Sequence, residues 1–493
     1  MTIEGFWNGP WHASFGVVDL GSSPLPVDDL EDLVARIGRH LQSVGVRAGS
    51  RVVCSLPNAL PMVVLLLACW SLDVILVPMA TAASEGDLKF VLRNSVPAVV
   101  VCSEETPALL EACKNHHVAA IQMRLDPEVR FTLLLDFKPR KTTPVEGALQ
   151  LHTSGTTASP KTVILTKQQL LATSRSVVET YKLTPDDVSY VVMPLFHIHG
   201  IVCSLLATAL SGGHVVLPAA GKFSASAFWS DVESQKVTWF TAVPTIHQIL
   251  LKYPSKWTRS HRLRFVRSCS SPLAPAVLVA VERMYGVTCL EAYGMTENAH
   301  QISSNPLYGP RKPGSVGLPT GTELQIRGLD GGCVDFGETG EVCIHGGESV
   351  LKAYHNDPAA TAVAFYGEWF RTGDLGWVDS EGYLYLVGRL KEQINRAGEK
   401  ISPVEVDQVA CGFHGVLEAV TFGAPSYLYG EEVHIAVVTE YGEPLYHFEK
   451  HLKDNLSGFK VPSHIHWSAS ALPRTNTGKL QRRLVRDHFL SDS

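Results

Sequence analysis

The chain is 493 residues long, 45% hydrophobic and 18% charged, with a formal net charge of −6. That length is more than one compact core accommodates, so at least two domains are expected, and the composition is that of a soluble globular protein. The charge supplies no electrostatic argument for a nucleic-acid partner or an anionic membrane surface.

In chain order, the first third alternates apolar strand runs (51–56, 74–77, 98–102) with helical runs (28–44, 62–70, 85–94). Residues 61–83 are apolar enough to suggest a membrane span, but Ser71 and Asp73 sit in the middle. A charge at a bilayer centre costs about 2.5–3.5 kcal/mol. A buried helix over 61–71, a turn at Leu72-Asp73 and a buried strand over 74–78 explain the run better, so no integral membrane segment is expected. Helix 167–181, strand 188–193, helix 200–211, strand 214–217, helix 224–235 and strand 239–242 repeat the theme. Strands alternating with helices imply parallel sheets covered by helices. A glycine-rich, more β-like stretch follows over 314–388, its Gly and Pro punctuating turns. The remainder shows strand-like 419–422 and 434–439 with helix-like 404–411 and 446–456. The expected fold is α/β: a large N-terminal domain over 1–388, made of helix-covered sheets plus a β-rich subdomain, and a small mobile α+β C-terminal domain over 389–493.

The ten cysteines are scattered without a C-x-x-C pair, so they point to neither a zinc site nor a disulfide framework and read as reduced thiols. Residues 1–8 have no signal-peptide pattern and the C-terminal Leu490-Ser-Asp-Ser493 is not a peroxisomal S-K-L tripeptide, so a cytoplasmic location is expected.

The run Leu151-His-Thr-Ser-Gly-Thr-Thr-Ala-Ser-Pro-Lys161 sets four hydroxyls (Thr153, Ser154, Thr156, Thr157) around Gly155 and ends on Lys161. Hydroxyls and free backbone N–H groups in a turn make a concave anion site, and a neighbouring lysine adds a point charge. The natural guest is a polyphosphate, although the Walker spacing is absent. Alone, the run is also compatible with a Ser/Thr-rich surface loop. Three further motifs accompany it: Glu291-Ala-Tyr-Gly-Met-Thr-Glu297 after the strand-like 287–290, Trp369-Phe-Arg-Thr-Gly-Asp-Leu-Gly376, and Pro473-Arg-Thr-Asn-Thr-Gly-Lys479. Asp374, flanked by glycines, suits two ribose hydroxyls, and equally a structural turn acid. The basic Gln481–Arg486 face reads as solvated surface, with a nuclear signal as the weaker alternative.

Together these motifs resemble the adenylate-forming superfamily of acyl-CoA synthetases, luciferase-like enzymes and peptide-synthetase adenylation domains. The resemblance runs nearly end to end and implies a large domain closed by a small mobile lid. It implies ATP, Mg²⁺ and CoA as cofactor, metal and cosubstrate. The family's usual loop has Gly where this chain has Ala158 and Thr162, so the loop is expected to move differently. By the same resemblance Thr153, Ser154, Gly155, Thr156, Thr157 and Lys161 hold phosphates, and Ser270, Glu291, Ala292 and Tyr293 belong to the nucleotide site, with Tyr293 stacking on adenine. Asp374 and Arg389 contact the ribose, Thr296 the α-phosphate, and Glu297 the Mg²⁺, a hard cation that prefers oxygen. Lys479 matches the catalytic lysine, a cation that bridges carboxylate and α-phosphate as they meet. Glu297, Thr296 and His197 complete the catalytic set. Lys391 falls at the hinge, where a plain linker lysine is the simpler alternative, and the turn at Ala397-Gly398 replaces Lys479 and helps form the pantetheine tunnel.

Pocket-facing residues, again by resemblance, come from Phe196–Gly200, Thr241–Thr245, Ser268–Ser271 and Asn298–His300. A pocket for fatty or aromatic acids should be mostly apolar. Here Ser268, Ser270, Thr241, His197 and His300 suit a short acid carrying a second polar group, although His300 is also compatible with a structural histidine. The runs 264–275 and 295–306 are similar to oxalate–CoA ligases, less so to 4-coumarate ligases. The expected activity is an ATP-dependent acid–CoA ligase acting on oxalate. The alternatives are a 4-coumarate or medium-chain acid ligase, and a non-catalytic nucleotide-binding protein. The oligomeric state is not legible in the sequence.

Overall fold

The computed structural model describes residues 15–20, 27–104, 106–125, 129–138, 145–153, 160–254, 261–328, 330–474 and 480–491. Four sheets organise it. In the first, seven strands run in the spatial order Val129–Leu135, Ala119–Leu125, Val99–Cys102, Arg51–Ser55, Ile75–Pro78, Leu149–Thr153, Lys161–Leu165. The five strands from Ala119–Leu125 to Leu149–Thr153 are parallel, and an antiparallel strand closes each side. Parallel strands need covered faces and so read as unbroken Val/Leu runs; Val52, Val53, Val99, Val100 and Val101 are all at zero exposure.

The apolar stretch near residue 70 resolves as helix Leu60–Ser71 followed by strand Ile75–Pro78. Ten of the helix's twelve residues are buried, so it is apolar all round because it lies in a core. Asp73 makes the turn at positive φ and receives the Lys167 ammonium at 2.5 Å. Among the described residues no helix is long and apolar enough to cross a membrane.

The second sheet has eight strands ordered Gly16–Asp19, His214–Leu217, Val188–Tyr190, Trp239–Ala242, Phe265–Ser268, Thr288–Met295, His300–Ser304, Leu318–Pro319. It is parallel through Thr288–Met295 and antiparallel beyond. The expected helix over 200–211 begins instead as a π-helical segment, His199–Leu206, before relaxing to α at Ala207–Leu210. Such wide turns cost regular hydrogen bonding and recur at functional sites. Strand 188–193 is shorter than expected, ending at Tyr190. The hairpin between Ala119–Leu125 and Val129–Leu135, with little period-two patterning, was not among the expected strands.

The glycine-rich stretch forms a third sheet, antiparallel, from Glu323–Arg327, Gly340–His345, Phe365–Tyr366, Trp369–Val378 and Leu384–Arg389. The fourth contains Ile394–Arg396, Glu399–Ile401, Glu418–Ser426, Gly430–Val438 and His464–Ser468. Helices Pro403–Cys411 and Phe448–Asn455 cover one face around Val406, Val433, Ile435 and Val437, and helix Arg482–Leu490 covers the other around Val420, Phe422 and Val485. This is an α/β chain with a large helix-covered N-terminal region and a smaller β-rich C-terminal region.

Truncating Leu65, fully buried in the apolar helix, should destabilise the N-terminal core by about 2–5 kcal/mol. Denaturant unfolding of Leu65→Ala checks this; a change below roughly 0.5 kcal/mol, the range of neutral surface substitutions, would show that the helix is not core.

Candidate active site

Strands Leu149–Thr153 and Lys161–Leu165 form a hairpin in which Thr153 and Lys161 are register partners. The two ends of the hydroxyl-rich run, Thr153 and Lys161, therefore stand side by side at the edge of the sheet. Ser154, Gly155, Thr156 and Thr157 themselves lie outside the described residues, as does Lys479. At Thr162, where the resembling loops carry Gly, the hydroxyl sits 3.2 Å from His152 Nδ1. Burial pushes the His152 imidazole down to about 4, so it is neutral at neutral pH.

Glu297 occupies the single turn Thr296–Asn298 that ends strand Thr288–Met295, with Thr296 half-buried beside it. Glu297 is 7% exposed and accepts the Tyr354 hydroxyl at 3.0 Å. Burial raises its pKa, opposed by Lys161 and Arg389. The Lys161 ammonium lies 4.2 Å over the Tyr354 ring. Burial lowers the Lys161 pKa and Lys391 lowers it further, while Glu297 and Asp357 act the other way. Lys391 itself is exposed on the turn Leu390–Glu392, and Ala397 (φ 52°) and Gly398 (φ 95°) make the exposed turn between Ile394–Arg396 and Glu399–Ile401. Glu297 thus shares an electrostatic neighbourhood with Lys161 and Arg389, and Lys391 acts on Lys161.

Next to it, the Tyr293 hydroxyl donates to Asp374 Oδ2 at 2.5 Å, and Arg389 Nε lies 3.0 Å from Asp374 Oδ1. Asp374 and Arg389 face each other across neighbouring strands. A register shift at Tyr293/Gly294 re-aims the strand here. Only glycine fits at 294, because a Cβ would stand 1.8 Å from the His300 carbonyl oxygen. Glu291 and Ala292, on the same strand, are buried.

The candidate acid pocket lies at the C-terminal ends of the parallel strands, where ligands bind in open α/β sheets. Its base is Arg267, at zero exposure. Among the described residues no carboxylate pairs with it. Its Nε donates to the Tyr181 hydroxyl at 2.7 Å, and Nη2 to Gln301 Oε1 at 3.1 Å. Nη1 reaches Thr241 Oγ1 at 3.0 Å and His199 Nε2 at 3.2 Å. A guanidinium only donates, so His199 Nε2 must be the bare nitrogen. Its Nδ1–H then donates to Ser270 Oγ at 3.1 Å, so the Ser270 proton is not spent on His199. Burial first, then His300 and Arg267, hold the His199 pKa well down, so the ring is neutral. The His300 ring stacks on His199 at 4.8 Å, and its buried Nε2 has no hydrogen-bond partner. The buried Ser268 hydroxyl is likewise unpaired. His197 is half-buried with its ring 4.6 Å from Phe196. Thr241 is wholly buried and committed to Arg267 and His199.

The sequence reading passed over Arg267 and Tyr354 and did not single out His199. An arginine inside Phe265-Val-Arg-Ser268, a central strand, was the available signal, since buried charge is rare without a task. On the C-terminal side, Arg474 Nη1 donates to Thr245 Oγ1 at 3.1 Å, and Arg474 bridges to Leu480. The two flanks of the Lys479 loop therefore stand next to the strand end that carries Thr241.

Residues 25–355 match the model of the AMP-binding enzyme, and residues 405–479 that of the AMP-binding enzyme C-terminal domain. The chain belongs to the AMP-binding enzyme family. It is 42% identical over 480 residues to an oxalate–CoA ligase of Arabidopsis thaliana, covering 94% of this chain and 93% of that one. It is 44% identical over 351 residues to an oxalate–CoA ligase of Saccharomyces cerevisiae, covering 70% of this chain and 64% of that one. Among solved structures, the o-succinylbenzoate–CoA synthetase of Bacillus subtilis in complex with ATP and magnesium ion superposes with a TM-score of 0.82 at 27% identity, over 96% of each chain.

Burial pushes the Glu291 carboxyl up to about 7. The folded state then holds a proton that the unfolded chain releases near pH 4.3. Stability should fall as pH rises through that window and level off above about 7, by roughly 4 kcal/mol in total. Glu291→Gln should flatten this slope, measured as denaturant midpoints between pH 5 and 8; an unchanged slope would assign the pH dependence elsewhere.

Proposed function

We propose that the chain is an AMP-forming acid–CoA ligase and that its acid is oxalate. The observation that carries the acid is the unpaired, buried Nε2 of His300, whose ring stacks on the His199 that meets Ser270, over a fixed positive charge at Arg267. A pocket with unpaired polar groups over a buried cation favours a polar, anionic second group on the substrate, and penalises an apolar one that would leave those groups unmet. The relatives named oxalate–CoA ligases support the same reading.

One oxalate carboxylate attacks the α-phosphorus of ATP and pyrophosphate leaves. The CoA thiolate then attacks the acyl carbon of the oxalyl-adenylate, and AMP departs with the electron pair of the broken acyl–phosphate bond. In this reading Thr153, Ser154, Gly155, Thr156, Thr157 and Lys161 grip the departing phosphates. Thr296 meets the α-phosphate, Tyr293 lies along adenine with Glu291 and Ala292, and Asp374 with Arg389 take the ribose. The cations around Glu297 suit a triphosphate, and its buried carboxylate is a hard oxygen donor that fits Mg²⁺, which would neutralise phosphate charge. His197, at the mouth of the π-helical segment, closes the acid pocket with Ser268 and Thr241. Lys479 bridges the two anions as they meet. Residues 389–493 then turn about Lys391, withdrawing Lys479 and bringing Ala397-Gly398 to the CoA channel.

The acid is tested by pyrophosphate release at saturating ATP, Mg²⁺ and CoA. Oxalate should exceed acetate and 4-coumarate by roughly 10⁴-fold in kcat/KM, the discrimination of a site built around a polar group. His300→Ala should weaken oxalate use with ATP binding nearly intact. Turnover of 4-coumarate without oxalate turnover would overturn the assignment.

Lys479→Ala should lose oxalyl-adenylate formation by about 10²–10³-fold, the scale for removing one transition-state charge partner. It should still convert supplied oxalyl-adenylate to the thioester. Equal loss in both half-reactions would refute a lysine that serves only the first.

A further inference from the structure

The fourth sheet carries a polar ladder that takes no part in the ligase reaction. Side chains two apart on a strand share a face. Glu432 and His434 stand on strand Gly430–Val438, and His464 and His466 on the parallel edge strand His464–Ser468, with His434 and His464 as register partners. Four potential ligands are thereby gathered on one face, against Phe422 and the end of helix Arg482–Leu490 at Phe489.

We propose that Glu432, His434 and His464 form a divalent transition-metal site suited to Zn²⁺. Their ligand atoms all lie within 4.8 Å of one another. Tetrahedral zinc with bonds of 2.0–2.2 Å places its ligand atoms roughly 3.3–3.5 Å apart. His434 Nε2 and Glu432 Oε1 are already 3.6 Å apart. His464 is exposed and Glu432 half-buried, so both have freedom to close the remaining gap.

Two further features suit a ligand rather than an ordinary packed histidine. His434 is 7% exposed, yet its Nε2 has no hydrogen-bond partner. Its other nitrogen, Nδ1, lies 3.1 Å from His466 Nε2. A metal bound at Nε2 requires the tautomer in which Nδ1–H donates to His466 Nε2, and the 3.1 Å contact is in place for it. That is the outer hydrogen bond which fixes tautomer and ring orientation at metal-binding histidines. Two imidazoles and one carboxylate form a borderline donor set that prefers Zn²⁺ over Mg²⁺ or Ca²⁺, with a fourth position left for water. An ion here ties the edge strand to the middle of its sheet. That edge strand leads directly into Arg474 and the loop that carries Lys479, so the metal would stiffen the support of that loop.

The test is Zn²⁺ binding by the full chain, stripped with a chelator and titrated against a chromophoric competitor. The native chain should bind one Zn²⁺ more than His464→Ala, which alters an exposed side chain and should fold normally. Glu432→Gln should lower the affinity at least tenfold. His466→Ala should cost 10–100-fold, as loss of an outer partner does. Zn²⁺, and not Mg²⁺, should raise the melting temperature of the native chain and leave that of His464→Ala unmoved. Equal Zn²⁺ stoichiometry and affinity in the native chain and His464→Ala would overturn the site.

Discussion

A guanidinium sealed in the second sheet, with no carboxylate among the described residues to pair with it, sets the terms for the acid pocket. Burying an unpaired charge is expensive unless hydrogen bonds satisfy it. Arg267 meets that cost through Tyr181, Thr241, Gln301 and His199, drawn from a helix, a strand, a second strand and a π-helical turn. Because the guanidinium can only donate, it decides the His199 tautomer, and His199 in turn donates to Ser270 and leaves the Ser270 proton unspent. The neutral His300 stacked on His199 is held in the same field. Charge, tautomer and donor direction in the pocket therefore follow from one buried side chain.

The nucleotide half of the site is built on a different principle. Its cations, Lys161, Lys391 and Arg389, are gathered around Glu297 and Asp374 at the junction of three sheets. The two carboxylates are buried while the cations keep partial access to water, which weakens their pairing. In the proposed reading their value lies in offering cations where a triphosphate's charge would arrive.

Much of this was legible in sequence. The helix Lys167–Tyr181 and the strands His214–Leu217 and Trp239–Ala242 begin and end where the pattern of apolar residues says they should, because local period and caps agree there. Asp374 and Arg389 were read as partners in one task and stand 3.0 Å apart. What the pattern hid was non-local or irregular. His199 and Arg267 are 68 residues apart, and only the crossing of strand and π-helical turn joins them. The π-helical segment has the apolar composition of an ordinary helix, and nothing in it declares the wider turn. Glu432, His434, His464 and His466 sit on two strands with thirty residues between register partners, so no short motif records them.

In the proposed oxalate pocket His199 would act on the acid through Ser270. A double-mutant cycle tests it, with His199→Ala and Ser270→Ala read as the ratio of kcat/KM for oxalate to that for acetate. Residues working as one unit are non-additive. Each single substitution should remove most of the oxalate preference, and the double substitution should lower it little further. Losses that multiply, or a preference that survives either change, would contradict the account.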